Sequence, residues 1–127
     1  MDADVAARAW IDGWMRGWRD HDPEPIVAVY TEDAVFRSHP FRDAQTPREY
    51  ALQAFGEEES AEFRFGEPVA AGDRAAVEYW AVIRSGGKDW TLAGTTILRF
   101  ADDGRASYHL DYWTMEERRR DPPPGWG

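Results

Sequence analysis

The stretch Thr95–Thr114, TTILRFADDGRASYHLDYWT, decides how the chain folds. Two runs with a period of two flank Asp102-Asp103-Gly104, whose carboxylates and glycine close a hairpin. The arms extend over Trp90 to Phe100 and Arg105 to Met115. Upstream, the same alternation covers Ala75 to Arg84 and Phe63 to Val69, joined by Ser85-Gly86-Gly87-Lys88 and Ala71-Gly72-Asp73. Four consecutive antiparallel strands are expected.

Before Phe63 the apolar period lengthens to that of a helix. Thr46-Pro47-Arg48-Glu49 has the spacing of a capping box and opens a helix to about Glu58, with Tyr50, Ala51, Ala54 and Phe55 on one face. Asp22-Pro23-Glu24 opens a short helix carrying Ile26, Val27, Val29 and Tyr30. Thr31-Glu32-Asp33 ends it before a short strand, Ala34 to His39, which Pro40 stops. In Asp4 to Asp20, Ala6, Trp10, Trp14 and Trp18 recur every fourth residue, and Gly13 and Gly17 leave room for close packing. Helices segregated from a meander sheet define an α+β chain. Three N-terminal helices pack on a curved, mostly antiparallel sheet, a cone with an internal pocket. Residues 1–115 form one domain, and 116–127, rich in arginine, proline and glycine, form a flexible C-terminal arm.

Composition limits the function. The 127 residues carry 24 carboxylates against 15 lysines and arginines, a formal charge of −9, which disfavours nucleic acid and anionic membranes. No cysteine is present, so disulfides, thiolate catalysis and cysteine-bound metals are excluded. No apolar run approaches the ~20 residues that span a bilayer, and the acidic N-terminus has no signal-peptide core. A cytoplasmic protein is expected. Seven tryptophans exceed what a core of this size requires. The histidines show no metal-ligand spacing, and no phosphate-binding or nucleophile-elbow motif occurs, so neither metal nor cofactor is expected. Glu57-Glu58-Glu59 and Arg118-Arg119-Arg120 read as solvated charge runs.

The order of elements, with IVAVYTEDAVFRSHPF over Ile26–Phe41 and the hairpin quoted above, resembles the nuclear transport factor 2-like superfamily, in its SnoaL-like and ketosteroid-isomerase-like branches. The resemblance covers about residues 4–115 and implies a cystatin-like α+β barrel. It implies fold more than chemistry. The position of the steroid isomerases' catalytic base falls on His39, or on Ser38 if the register slips by one. Their oxyanion tyrosine falls near Trp14 and their second oxyanion donor, a protonated aspartate, on Thr96. With all three positions changed, steroid isomerisation is not expected. Nor is the aspartate–arginine–aspartate set of limonene-epoxide hydrolases present.

Candidate site residues follow. In Trp90 to Phe100 the even positions are the more apolar and face inward. In the last strand the pattern alone favours Tyr108, Leu110 and Tyr112 inside, whereas the resemblance turns His109, Asp111 and Trp113 to the cavity, the choice adopted. Asp111 among aromatic rings loses hydration, the condition under which a carboxyl serves as a general base near neutral pH. The alternative is a carboxylate that only accepts bonds from neighbouring side chains and holds the sheet. His39 is its expected partner across the same cavity, against the alternative of a strand-end histidine held by Pro40. His109 orients Asp111 or caps the sheet. His21 reads as solvated. Trp14, Tyr30, Phe36, Phe55, Trp80, Thr96 and Trp113 are the expected substrate-binding residues. Glu78 joins Asp111 only if the strand over 75–84 turns its even face inward; Val77, Tyr79, Ala81 and Ile83 look more like core.

Two functions are compatible with these residues. The first is a cofactor-independent acid–base enzyme of isomerase, cyclase or dehydratase type, acting on a small hydrophobic organic molecule. The second is a non-catalytic hydrophobic-ligand-binding or dimerisation module of the same fold. The resemblance also implies a homodimer through the outer face of the sheet, with the set Val77, Tyr79, Ala81 and Ile83, or its alternate face, as the surface.

Overall fold

The computed structural model describes all 127 residues. Asp2 starts the first element: its side chain accepts from the backbone N–H groups of Asp4 (2.9 Å) and Val5 (3.2 Å) and caps α1, Ala3–Asp20. Trp10, Trp14 and Trp18 lie buried on one stripe of it. Gly13 and Gly17 occupy the neighbouring stripe, where α2, Glu24–Val27, approaches closely. A Cβ on Gly17 would stand 2.6 Å from Ile26 Cγ1 and one on Gly13 2.8 Å from the Pro25 carbonyl oxygen.

The second helix is shorter than the sequence reading places it, and Tyr30 belongs to a strand. β1 spans Tyr30–Arg37 and runs parallel to the last strand, with Tyr30 opposite Ala106 and Phe36 opposite His109. The β-branched residues around Tyr30 suit an extended backbone, and the Val29 carbonyl accepts from the Ala106 N–H at 2.8 Å. α3, Pro47–Glu57, begins as its capping box requires, with Thr46 Oγ1 accepting from the Glu49 N–H at 3.1 Å.

The remaining strands are β2 (Ser60–Phe65), β3 (Val69–Ala71), β4 (Arg74–Ser85), β5 (Lys88–Phe100) and β6 (Ala106–Glu116). The expected strand over 63–69 is divided between β2 and β3, both antiparallel to β4, because the chain leaves the ladder around Pro68, which has no N–H to donate. Sheet order is β1-β6-β5-β4-β2, mixed and not closed. Helices cover its inner face, giving the α+β cone. Across that face the register forms rows: Val77, Thr96 and Asp111; Tyr79, Gly94 and Trp113; Ala81, Leu92 and Met115.

Val77, Tyr79, Ala81 and Ile83 therefore face inward and offer no dimer surface. Glu78 and Trp80 face outward. There the arm crosses the sheet: Trp80 Nε1 donates to the Arg120 carbonyl (2.8 Å), Thr91 Oγ1 donates to that of Arg118 (2.6 Å), and Trp126 meets Trp80 edge-on at 6.1 Å. No helix is long and apolar enough to cross a membrane.

Candidate active site

Between α1, α3 and the inner face of the sheet lies a cavity of about 480 Å³. At its inner end β5 and β6 bring Thr96 and Asp111 side by side. Thr96 Oγ1 donates to Asp111 Oδ1 at 2.6 Å. His109, two residues before Asp111 and on the same face, has its Nε2 2.9 Å from that same oxygen, although not along the direction of a linear hydrogen bond. Both contacts fall on Oδ1. Asp111 Oδ2 has no protein partner and opens on the cavity.

Behind His109 the hydrogen bonds have a fixed direction. Trp10 and Trp14 donate their indole N–H groups to the Tyr30 hydroxyl oxygen at 2.9 and 3.0 Å. An indole nitrogen only donates, so the hydroxyl, having accepted twice, gives its own proton to His109 Nδ1, 2.8 Å away. Nδ1 is thereby an acceptor, and the ring proton sits on Nε2, facing Asp111. Burial pushes the Tyr30 hydroxyl well above the ordinary phenol range, against the pull of its two indole donors. It stays protonated. His109 is further clamped by Phe36, stacked at 4.0 Å.

Two more hydroxyls open on the cavity without a protein partner, those of Tyr50 from α3 and Tyr79 from β4. Burial and then the negative charge of Asp111 raise both above the usual phenol value, so both remain donors. Tyr79 needs Gly94 opposite it: a Cβ there would lie 2.5 Å from its Cζ. Arg42 stands at the rim, its guanidinium 5.1 Å from the centre of the Trp113 ring and bonded to Ser38 Oγ at 3.1 Å.

The structure thus brings Asp111, His109, Thr96, Trp14 and Trp113 together on one cavity. It separates others. His39 does not share the cavity, a correction to the expected pairing: its ring packs against Phe41 and the edge of Trp113, with Nδ1 accepting from the Phe41 N–H at 3.2 Å. Tyr30 and Phe36 are wholly packed behind the wall, since β1 lies beyond β6. Phe55 lies against Trp18 and His21 instead. Trp80 is on the outer face, because strand alternation fixes it opposite Tyr79. Tyr50, Tyr79, Arg42 and Glu58 complete the wall unanticipated. The signal for Glu58 is its spacing: it continues the Tyr50, Ala54 stripe by four residues, hidden within a run of three glutamates.

The cone is the fold of nuclear transport factor 2-like and ketosteroid isomerase-like proteins. Among solved structures, the epoxide hydrolase/cyclase-like enzyme SalBIII, of pyran ring formation in the polyether salinomycin, superposes with a TM-score of 0.77 at 15% identity, covering 92% of this chain and 99% of that one. A hypothetical protein of Catenulispora acidiphila with a ketosteroid isomerase-like fold, in complex with trimethylamine, gives 0.71 at 17%, covering 82% and 84%. An LEH-like epoxide hydrolase of M. tuberculosis gives 0.64 at 18%, covering 88% and 82%. At these identities the likeness is one of fold. A model of the SnoaL-like domain matches residues 11–109, and the chain belongs to that family. Curated proteins contain no significant match to the sequence.

Proposed function

We propose that the chain is a cofactor-independent acid–base enzyme of isomerase, cyclase or dehydratase type, acting on a small, largely hydrophobic organic substrate with Asp111 as the proton carrier. The observation that carries this reading is the asymmetry of the Asp111 carboxylate: Oδ1 bonded by Thr96 with His109 Nε2 alongside, Oδ2 turned to an aromatic cavity. A carboxylate anchored on one oxygen presents the other in a fixed place, which a general base requires. Oδ2 takes a proton from an acidic carbon. The Tyr50 and Tyr79 hydroxyls donate to the substrate oxygen on which negative charge develops. The proton then returns to a neighbouring carbon, or to a departing hydroxyl if the substrate dehydrates. His109 sets its Nε2 2.9 Å from the anchored Asp111 oxygen, while its Nδ1 accepts from the Tyr30 hydroxyl. It is a positioning residue. The enzyme-like names among the structural neighbours, SalBIII foremost, favour turnover over passive binding.

The test is hydrogen exchange. Enolisable cyclic ketones incubated with the protein in D2O should gain deuterium above the buffer rate, read by mass spectrometry. Asp111→Asn should lower that gain at least 100-fold while retaining ligand binding. Binding without exchange in the wild type supports the binding module instead. A homodimer, on this reading, pairs through the outer face around Tyr112 and Thr95 beside the arm; sedimentation as a monomer at micromolar concentration removes it.

A further inference from the structure

The cavity has a second ionisable end that proton transfer at Asp111 does not use. Just past α3, Glu58 has a side chain only 2% exposed. Its Oε2 accepts from Trp18 Nε1 at 3.0 Å and its Oε1 lies 2.9 Å from His21 Nε2. Each carboxylate oxygen can accept two bonds, so both retain capacity, and Glu58 lies on the cavity wall. His21 is the left-handed C-cap of α1, its backbone N–H bonded to the Gly17 and Trp18 carbonyls. It is the one non-glycine residue with positive φ (49°), and its ring stacks on Phe55 at 4.9 Å. Beside the carboxylate stand the rings of Trp18 and Phe63, 4.4 Å apart.

The ionisable side chains of the cavity wall are predominantly acidic. The wall carries Arg42 against Glu57, Glu58 and Asp111. Arg42 is already engaged by Ser38 and the Trp113 ring. An anionic ligand meets repulsion here, and a neutral hydrocarbon makes no use of the acceptor capacity that Glu58 retains beyond its bonds to Trp18 and His21. An organic cation gains both from the carboxylate and from the negative faces of the surrounding rings.

We infer that the Glu58 end of the cavity is a subsite for an organic cation, a protonated amine or alkylammonium group borne by a hydrophobic substrate. This rests on the reading of the cavity as the substrate site, with Asp111 at one end and Glu58 holding the charged end. The probe is benzyltrimethylammonium, compared with its uncharged isostere neopentylbenzene, in tryptophan-fluorescence titrations. The wild type should bind the cation at least tenfold more tightly. Glu58→Gln should reduce that ratio at least tenfold, whereas Glu49→Gln, exposed on α3, should leave it unchanged. A wild-type ratio near one overturns the subsite, as does a ratio that Glu58→Gln does not alter. If that variant fails to fold, the wild-type ratio decides alone. Cation preference without Asp111-dependent exchange sinks the enzyme reading only; exchange without preference sinks the subsite only.

Discussion

On the inner face of the sheet, the indole N–H groups of Trp10 and Trp14 end on the Tyr30 hydroxyl and that of Trp18 on the Glu58 carboxylate. On the outer face, Trp80 donates to the backbone carbonyl of Arg120. The same donor has different consequences in the two places. Inside, the bonds of the three α1 indoles reach titratable groups and constrain where a proton can sit, while Trp113 donates to the Ser38 carbonyl at 2.6 Å. Outside, it tacks a chain segment to the sheet and touches nothing that ionises. The excess of tryptophan is thus divided between an electrostatic use and a mechanical one.

The largest effect expected from this contrast is on stability. Trp10→Ala removes a ring buried to 2% together with one of the two bonds to Tyr30, and should cost about 3–5 kcal/mol in urea denaturation. Trp80→Ala, on the partly exposed face, should cost about 1 kcal/mol. Equal costs would break the comparison. Next comes Tyr30→Phe, which leaves two buried indole donors without an acceptor and should cost about 2–4 kcal/mol. It also removes the donor to His109 Nδ1. Nitrogen-15 NMR should find the wild-type ring proton on Nε2 and a mixture of tautomers in the variant. A wild-type proton on Nδ1 would reverse the inferred direction of the whole network.

The contrast also explains which parts are legible in the sequence. The capping box at Thr46, the tryptophan stripe and the turn at Asp102-Asp103-Gly104 are local signals, and each marks an element that forms. Alternation places Leu92 and Leu98 inward because the even positions of β5 are together the more apolar, and Thr96 follows by the period of two. It misdirects in β6, where Tyr108, Leu110 and Tyr112 are more apolar than His109 and Asp111, since an inner face that holds a polar site inverts the rule on which the reading rests. Tyr30 reads as helical because its strand pairing is with Ala106, 76 residues away in sequence, and no local pattern carries that information. His39 is misplaced for a related reason: chain position shows that it is near the sheet, but not which side of a strand end it occupies. Trp80 is misplaced against the alternation itself, which turns Val77, Tyr79 and Ala81 inward.

A finer separation comes from pH. Burial raises the Glu58 carboxyl above its ordinary value by more than the bonds from His21 and Trp18 pull it back. The folded state therefore holds this proton more tightly than the unfolded chain does. Its contribution to stability is complete below the ordinary carboxyl value of about 4.3 and is lost as pH rises through the raised folded value. Glu58→Gln removes that dependence. The urea midpoint of the variant, relative to wild type, should therefore move in the variant's favour between about pH 4 and pH 7. A shift in the opposite sense would mean that the two hydrogen bonds outweigh burial at this site.

The smallest effect belongs to the outer face. Trp126 meets Trp80 edge-on at 6.1 Å and has the Arg64 guanidinium 5.4 Å from its ring centre, contacts made at a partly exposed position. Each such contact is worth about 0.5–1.5 kcal/mol, and solvent takes over much of it when the ring is removed. Trp126→Ala should therefore lower stability by under about 1 kcal/mol and leave ligand affinity in the cavity unchanged. Trp18→Phe keeps a ring in place but deletes the N–H that reaches Glu58, so it should weaken binding of benzyltrimethylammonium while costing less stability than Trp10→Ala. If Trp126→Ala instead altered cavity binding, the sheet would be transmitting between its faces. The division of labour among the tryptophans would then be one of position only, with the outer rings bearing on the site through the shared strands β4 and β5.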